Sequence, residues 1–262
     1  MKLTLLIVLA YSNLIFTDVV ENLYEIKNPK PARILFVGNS YLYYNDSLHN
    51  HLRRIVEESF PDYIDLLEFK SATIGGSKLS HHNIDHLLEY KNLEVSKPFE
   101  LVILQGGSSE HLTEESRKDF LQYAELLTSK VKDSGSDAAL YMIHAYVKPH
   151  EDYDPGMLGK VEALYDQAGK ITNTNVLPVG IAFANAYKEK PNLKLHKDFD
   201  GTHPDILGTY LAACVLYASI YKKSPIGIKY NYFDSINDED IKFLQQVAHK
   251  TVEDFYKIEL TN

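Results

Sequence analysis

The sequence contains no tryptophan and a single cysteine, Cys214, among 262 residues. One thiol cannot close an intrachain disulfide, so the fold must be held by its core, and cysteine usage carries no information about redox compartment. It also gives no support to a cysteine-built zinc site. Positive charge is scarce: 27 Lys and Arg stand against 36 Asp and Glu, a formal net charge of −9. Without a basic face to neutralise phosphates the chain is a poor partner for nucleic acid. There is no Gly/Ser linker, no low-complexity tract and no internal repeat, so the length argues for one domain with a substantial core. Long apolar runs are missing as well. The stretch from Leu3 to about Phe16 is broken by Tyr11, Ser12 and Asn13, and a membrane-spanning helix needs about 20 apolar residues. Preceded by Lys2 and followed by Asp18 and Glu21, the stretch has the order of an export leader. Residues 1–18 are expected to be a signal peptide or an uncleaved N-terminal anchor, and the protein to be exported, periplasmic or secreted, with no further integral membrane segment.

What is abundant is tyrosine, 19 residues, an amphipathic ring suited to packed cores and to the rims of acyl-chain or carbohydrate clefts. From Arg33 onward short apolar runs alternate with amphipathic stretches, as in a parallel sheet flanked by helices. The runs Ile34 to Val37, Ile64 to Phe69, Leu101 to Leu104, Ala138 to Ile143 and Val176 to Val179 are expected to be strands. Helices are expected over Ser47 to Glu58, Leu79 to Tyr90, Glu114 to Lys132, Gly156 to Thr172, Ile206 to Tyr221 and Asp238 to Ile258. Leu101-Val102-Ile103-Leu104 has no polar alternation and so reads as a strand covered on both faces. The expectation is a three-layer α/β/α sandwich with about five parallel strands, occupying residues 32–260. Cys214, among Leu211, Ala212, Ala213, Val215 and Leu216, reads as a small packed hydrophobe.

In an open parallel sheet, function gathers at the carboxyl ends of the strands. Three loops there are rich in Gly and Ser: Gly38-Asn39-Ser40, Gly75-Gly76-Ser77 and Gln105-Gly106-Gly107-Ser108-Ser109. Each alone is explained by glycine permitting a tight turn. Three in succession point to a pocket lined by backbone N–H groups, the apparatus that holds an oxyanion. Near the other end stands Asp198-Phe199-Asp200-Gly201-Thr202-His203-Pro204, just before a helix. A serine hydroxyl becomes a useful nucleophile when an imidazole takes its proton and a carboxylate fixes that imidazole's tautomer, and Asp-x-x-His can supply both partners from one turn. Taken locally, Asp200 or Thr202 capping the helix beside an exposed His203 explains the same residues.

Read in chain order, Gly38-Asn39-Ser40, the glycines of the second loop, the polar cluster after the third strand and Asp200-Gly201-Thr202-His203-Pro204 resemble the blocks of the SGNH (GDSL-like) hydrolases, over most of residues 32–222. The resemblance implies a flavodoxin-like sheet and ester hydrolysis without metal or organic cofactor. It implies Ser40 as nucleophile, His203 as general base and acid, and Asp200 as the orienting carboxylate. The N–H groups of Ser40 and of Gly75 or Gly76 would form the oxyanion hole. Two departures stand out. The Asp of Gly-Asp-Ser is Asn39, and the Gly-x-Asn of the third block is replaced by Gln105-Gly106-Gly107-Ser108. Gln105 offers the same carboxamide on a longer stem and is expected as the third oxyanion donor, with Asn39, Ser108 and His144 at the substrate rim. No Gly-x-Ser-x-Gly elbow exists, so an α/β-hydrolase lacks its nucleophile turn here. The substrate implied is a small-molecule or glycan acyl ester, short-chain or carbohydrate O-acetyl. Two rivals remain at this stage: a metal-dependent hydrolase built on His196, Asp198, Asp200 and His203, and an SGNH-like scaffold that binds glycans without hydrolysing them. His82 and His86, spaced i, i+4 beside His81 and Asp85, read more readily as solvated histidines than as ligands.

Overall fold

A computed structural model describes residues 26–261; the leader expected over residues 1–18 lies outside them. In chain order the elements are β1 (Arg33–Gly38), α1 (Ser40–Tyr43), α2 (Leu48–Ser59), β2 (Glu68–Thr73), α3 (Ile84–Leu88), β3 (Leu101–Gln105), α4 (Glu114–Asp133), β4 (Asp137–Tyr141), α5 (Met157–Thr172), β5 (Asn175–Leu177), α6 (Val179–Glu189), α7 (Ile206–Tyr221) and α8 (Asp238–Tyr256). All strand pairs are parallel, in the order β2-β1-β3-β4-β5. The expected five-strand α/β architecture is the one observed.

That order places the functional edge. The crossover through α2 moves the chain from β1 outward to β2, whereas those through α4 and α5 move it the opposite way, from β3 to β4 to β5. Right-handed crossovers therefore put α2 on one face of the sheet and α4 and α5 on the other. Strand order reverses between β1 and β3, and in such sheets a crevice opens beyond the carboxyl ends at that point. The register aligns those ends: Gly38 pairs with Thr73, Gln105 with Tyr141 and Tyr141 with Leu177. Every residue of β3 is buried, as its unbroken apolar run requires.

The helix α7 has no polar face. Every residue from Gly208 to Tyr221 is buried, because α7 packs against α2, α6 and α8. Cys214 lies inside this layer, where burial pushes its thiol up to about 12. Among the described residues no helix is long and apolar enough to cross a membrane.

Three expectations shift. The second strand begins at Glu68, since Pro61 opens a 3-10 helix over Pro61–Leu66. It is an edge strand with only Phe69 buried, so its apolar signal is weak. The helix expected over Leu79 to Tyr90 breaks into two 3-10 turns around the five-residue α3. The last strand ends at Leu177, and α6 follows from Val179 with Pro178 as its N-cap. The apolar run Val176-Leu177-Pro178-Val179 crosses this boundary without a polar break, and α6, absent from the expected helices, is built from small residues with little periodic signal.

Gly208, in the first turn of α7, lies against the backbone of the preceding loop: a Cβ there would overlap the Leu195 carbonyl oxygen and come within 2.9 Å of the Phe183 ring. Gly208→Ala is expected to destabilise the protein by about 1–3 kcal/mol through overpacking. The measurement is urea denaturation, with a lower midpoint and an unchanged m-value.

Candidate active site

The turn after β1 is built by its neighbours. A Cβ on Gly38 would sit 2.5 Å from Gln105 Oε1 and 2.8 Å from Leu42, so only glycine lets the strand end so close to β3. The Asn39 N–H donates to Gln105 Oε1 at 2.9 Å. Asn39 Oδ1 accepts from the Tyr41 N–H at 3.1 Å, while its Nδ2 donates to the carbonyls of Ser77 at 3.0 Å and Gly106 at 3.4 Å. One carboxamide thus ties together the loops that follow β1, β2 and β3. Ser40, next in the chain, is 7% exposed.

The second half of the site is the loop before α7. An antiparallel bridge joins His196 to Pro204, and the Lys197 N–H donates to the His203 carbonyl at 2.8 Å. Gly201, at φ +67°, accepts at its carbonyl from the Val147 N–H at 2.8 Å and leaves no room for a side chain against the Val147 carbonyl. This hairpin presents Asp200 and His203 together. Asp200 Oδ1 accepts the N–H groups of Thr202 and His203 at 2.9 and 3.1 Å, and Oδ2 accepts from His203 Nδ1 at 2.6 Å. His203 Nε2 lies 2.9 Å from Ser40 Oγ. Partial burial acts to raise the Asp200 pKa, but the hydrogen bonds from Thr202 and His203 outweigh it and hold the carboxyl below its ordinary range. An ionised carboxylate only accepts, so Nδ1 carries the imidazole proton and the Nε2 lone pair faces the serine hydroxyl.

Aromatic rings wall this base. Tyr44 stacks on His203 at 4.4 Å and 22°, and Tyr41 meets it edge-on at 6.0 Å. The Tyr41 hydroxyl hydrogen-bonds Thr202 Oγ1. These tyrosines belong to Tyr41-Leu42-Tyr43-Tyr44, directly after Ser40, and that adjacency in sequence is the signal that places them at the site. Tyr43 at the end of α1, Ile74 and Leu112 in the loops after β2 and β3, and Phe199 beside Asp200 are exposed.

Of the other expected site residues, Gly75 and Gly76 lie in an exposed turn whose closing hydrogen bonds are donated by Ile74 to Gly38 and by Ser77 to Ile74, both at 3.1 Å. Their own N–H groups stay outside those bonds. Ser108 is partly exposed and its carbonyl accepts from the Tyr146 hydroxyl at 2.8 Å. Three expectations need correction. Gln105 is fully buried; besides supporting Asn39, its Nε2 donates to the Gly106 carbonyl. The longer stem folds the carboxamide beneath the turn, so it props the serine loop and does not line an oxyanion hole. Asn39 is likewise buried and spent on the three loops. His144 is not at the rim: it is buried, sandwiched between Tyr41 at 4.3 Å and Phe183 at 4.4 Å, with Nε2 donating to the Thr202 carbonyl at 2.8 Å. Burial above all holds its pKa well below the ordinary histidine value, and the neutral ring braces the Asp200–His203 turn from behind.

The histidine sets disperse. His196 is buried, with Nδ1 accepting from the Tyr187 hydroxyl at 2.8 Å and Nε2 donating to the Ala145 carbonyl at 3.0 Å, while Asp198 pairs outward with Lys194 at 2.5 Å. His82 bonds Ser77 Oγ at 2.9 Å and His86 turns to Asn92. Among the described residues no three His, Cys, Asp or Glu side chains are grouped to hold an ion.

No protein-family model and no curated protein sequence matches this chain. Solved structures do. A DUF4886 family protein from Bacteroides uniformis superposes with a TM-score of 0.65 at 16% identity, covering 87% of this chain and 96% of the other. An acetyl xylan esterase, AlAXEase, gives 0.55 at 17% identity over 71% of this chain and 98% of its own. A catalytic mutant of Axe2, an acetylxylan esterase from Geobacillus stearothermophilus, gives 0.52 at 13% identity over 71% and 93%. At such identities the likeness is one of architecture, which is shared with a putative SGNH hydrolase from Slackia heliotrinireducens and a putative GDSL-like lipase from Parabacteroides merdae: the chain has the SGNH, or GDSL-like, hydrolase fold.

Proposed function

We propose that this protein is a serine esterase that cleaves acyl esters through a Ser40-His203-Asp200 triad. The observation that carries the proposal is the unbroken hydrogen-bonded chain from Ser40 Oγ through His203 to Asp200, at 2.9 and 2.6 Å, on the sheet edge where strand order reverses. His203 Nε2 takes the proton of Ser40 as Oγ attacks the ester carbonyl. The N–H groups of Ser40 and of Gly75 or Gly76 receive the oxyanion. His203 then protonates the leaving alkoxide, and in the second half it deprotonates the water that releases the acid from the acyl-enzyme. Asp200 keeps the productive tautomer and stabilises the imidazolium that forms in each half. Tyr44, stacked flat on the imidazole, adds a cation–π contact once that ring is charged.

For substrate we favour short acyl groups, with carbohydrate O-acetyl esters foremost. Tyr43, three residues after Ser40, and Phe199, next to Asp200, are exposed, and exposed aromatic rings suit a ring-shaped leaving group; two of the structural neighbours are acetylxylan esterases.

Labelling with a fluorophosphonate probe, alongside turnover of p-nitrophenyl acetate, tests the proposal. Wild type is expected to label and turn over with or without EDTA. Ser40→Ala and His203→Ala are expected to lose on the order of 10⁴–10⁶-fold in kcat, and Asp200→Asn about 10⁴-fold through the wrong imidazole tautomer. EDTA-sensitive turnover surviving Ser40→Ala would establish the metal reading instead, and glycan affinity without labelling or turnover the binding-only one. A separate expectation concerns Tyr44: Tyr44→Leu lowers kcat about two- to fivefold, the worth of an exposed cation–π contact, and Tyr44→Phe restores it. Equal rates for Leu and wild type would remove Tyr44 from the mechanism.

A further inference from the structure

Glu110 is a buried carboxyl with no part in the triad chemistry. It is 2% exposed, and the hydrogen bond it accepts comes from the Gly107 N–H, to Oε2 at 2.6 Å. The loop after β3 is wrapped around it. A Cβ on Gly106 would overlap Glu110 Oε2, and one on Gly107 would approach both the Glu110 carboxyl carbon and Lys78 Cγ at 3.2 Å. The two glycines are therefore there to let the loop close over this side chain. The charged and titratable groups that face it are Lys78 from the loop after β2, Asp119 on α4 and Tyr165 on α5. Lys78 pairs with Asp119, Nζ to Oδ2 at 3.5 Å. A carboxylate here would have one N–H donor, no cation of its own and a second carboxylate nearby, which is an expensive way to bury a charge.

We propose that Glu110 is a positioning residue, held as the neutral acid, that keeps the loop after β3 folded and through it the Asn39–Ser40 turn. The connection is short. Glu110 fixes Gly107; the adjoining Gly106 carbonyl accepts from both Asn39 Nδ2 and Gln105 Nε2; and Asn39 precedes the serine. Burial pushes the Glu110 carboxyl up to about 8, against the opposing pulls of the Gly107 N–H and Lys78. Stability is thus full below the ordinary 4.5 and is lost as pH rises through about 8. Ionisation would also pull the Lys78 ammonium from Asp119 toward Glu110, disturbing the loop whose Ser77 carbonyl is the other acceptor of Asn39 Nδ2.

The catalytic part of this inference rests on the esterase reading; the structural part does not. Two measurements on full-length protein keep the two apart. Ester hydrolysis followed by pH-stat from pH 6 to 10 should show a wild-type kcat that falls as pH passes about 8, and a Glu110→Gln profile in which that fall is gone. Glu110→Ala should lose about tenfold in kcat at pH 7 with KM little changed, the scale of a small misplacement at a reacting centre. In parallel the Gly107 amide resonance should titrate near pH 8 in wild type and stay still in Glu110→Gln. A Gly107 amide that titrates in both proteins, or in neither, overturns the proposal even if no ester is ever hydrolysed. So does an alkaline limb shared by wild type and Glu110→Gln. Absence of all turnover and labelling in wild type, with the Gly107 titration as described, would instead sink the esterase reading and leave Glu110 as the prop of the loop.

Discussion

At the gap between β1 and β3 the chain must do two incompatible things: end two adjacent strands and turn both away sharply, with no ladder hydrogen bonds left to hold the turns. The hydrogen bond from the Asn39 N–H to Gln105 Oε1 meets that demand, and much of the site depends on it. It fixes where β1 stops, it requires a glycine at position 38, and it leaves the Asn39 side chain free to reach the Ser77 and Gly106 carbonyls. A buried amide earns its place only when each polar atom finds a partner. Here both carboxamides, Asn39 and Gln105, are spent on backbone groups of three different loops. The serine is thereby mounted on a rigid base, which is what near-attack geometry needs.

The opposite wall follows the same logic with different chemistry. The Asp200–His203 turn is gripped from behind by Tyr41 at the Thr202 hydroxyl and by His144 at the Thr202 carbonyl. His144 can serve because its stacking partners keep it neutral, so that its donating Nε2 is directed at one oxygen. Behind it Phe183 of α6 stacks on the His144 ring, and His196 meets both rings edge-on. Two tyrosines of the segment after Ser40, Tyr41 and Tyr44, thus pack directly on His203. The abundance of that residue, which decides nothing as a composition, has here a local meaning.

What was legible from residues alone depended on how directly a physical demand writes itself into a pattern. Doubly covered strands write it plainly: Leu101-Val102-Ile103-Leu104 and Ile34 to Val37 were placed within a residue or two. Ser40 is joined to Asp200 and His203 through the resemblance of Gly38-Asn39-Ser40 and Asp200-Gly201-Thr202-His203-Pro204 to the SGNH blocks, since each pattern taken locally is explained by a tight turn or a helix cap; in the fold the three side chains form one hydrogen-bonded chain. The edge strand β2 was misplaced because one face of it is half open and only Phe69 is buried. Helix α6 was missed because small residues that pack closely against backbone, such as Gly180 against the Ile143 carbonyl, carry little periodic signal. Gln105 and His144 were assigned to the wrong side of their loops. Residue type and position predict that a carboxamide or an imidazole will be near the site; which way it faces is set by packing partners more than thirty residues away, Asn39 in one case and Phe183 in the other.

The most direct test of the account is to catch the covalent intermediate. Protein mixed with an activated acetyl ester, quenched in acid within the first turnovers and digested for mass spectrometry, should carry the acetyl group on the peptide containing Ser40, at the hydroxyl of that residue. Turnover that proceeds with no acylated peptide, or with the acyl group on another side chain, would contradict a triad built on Ser40, His203 and Asp200.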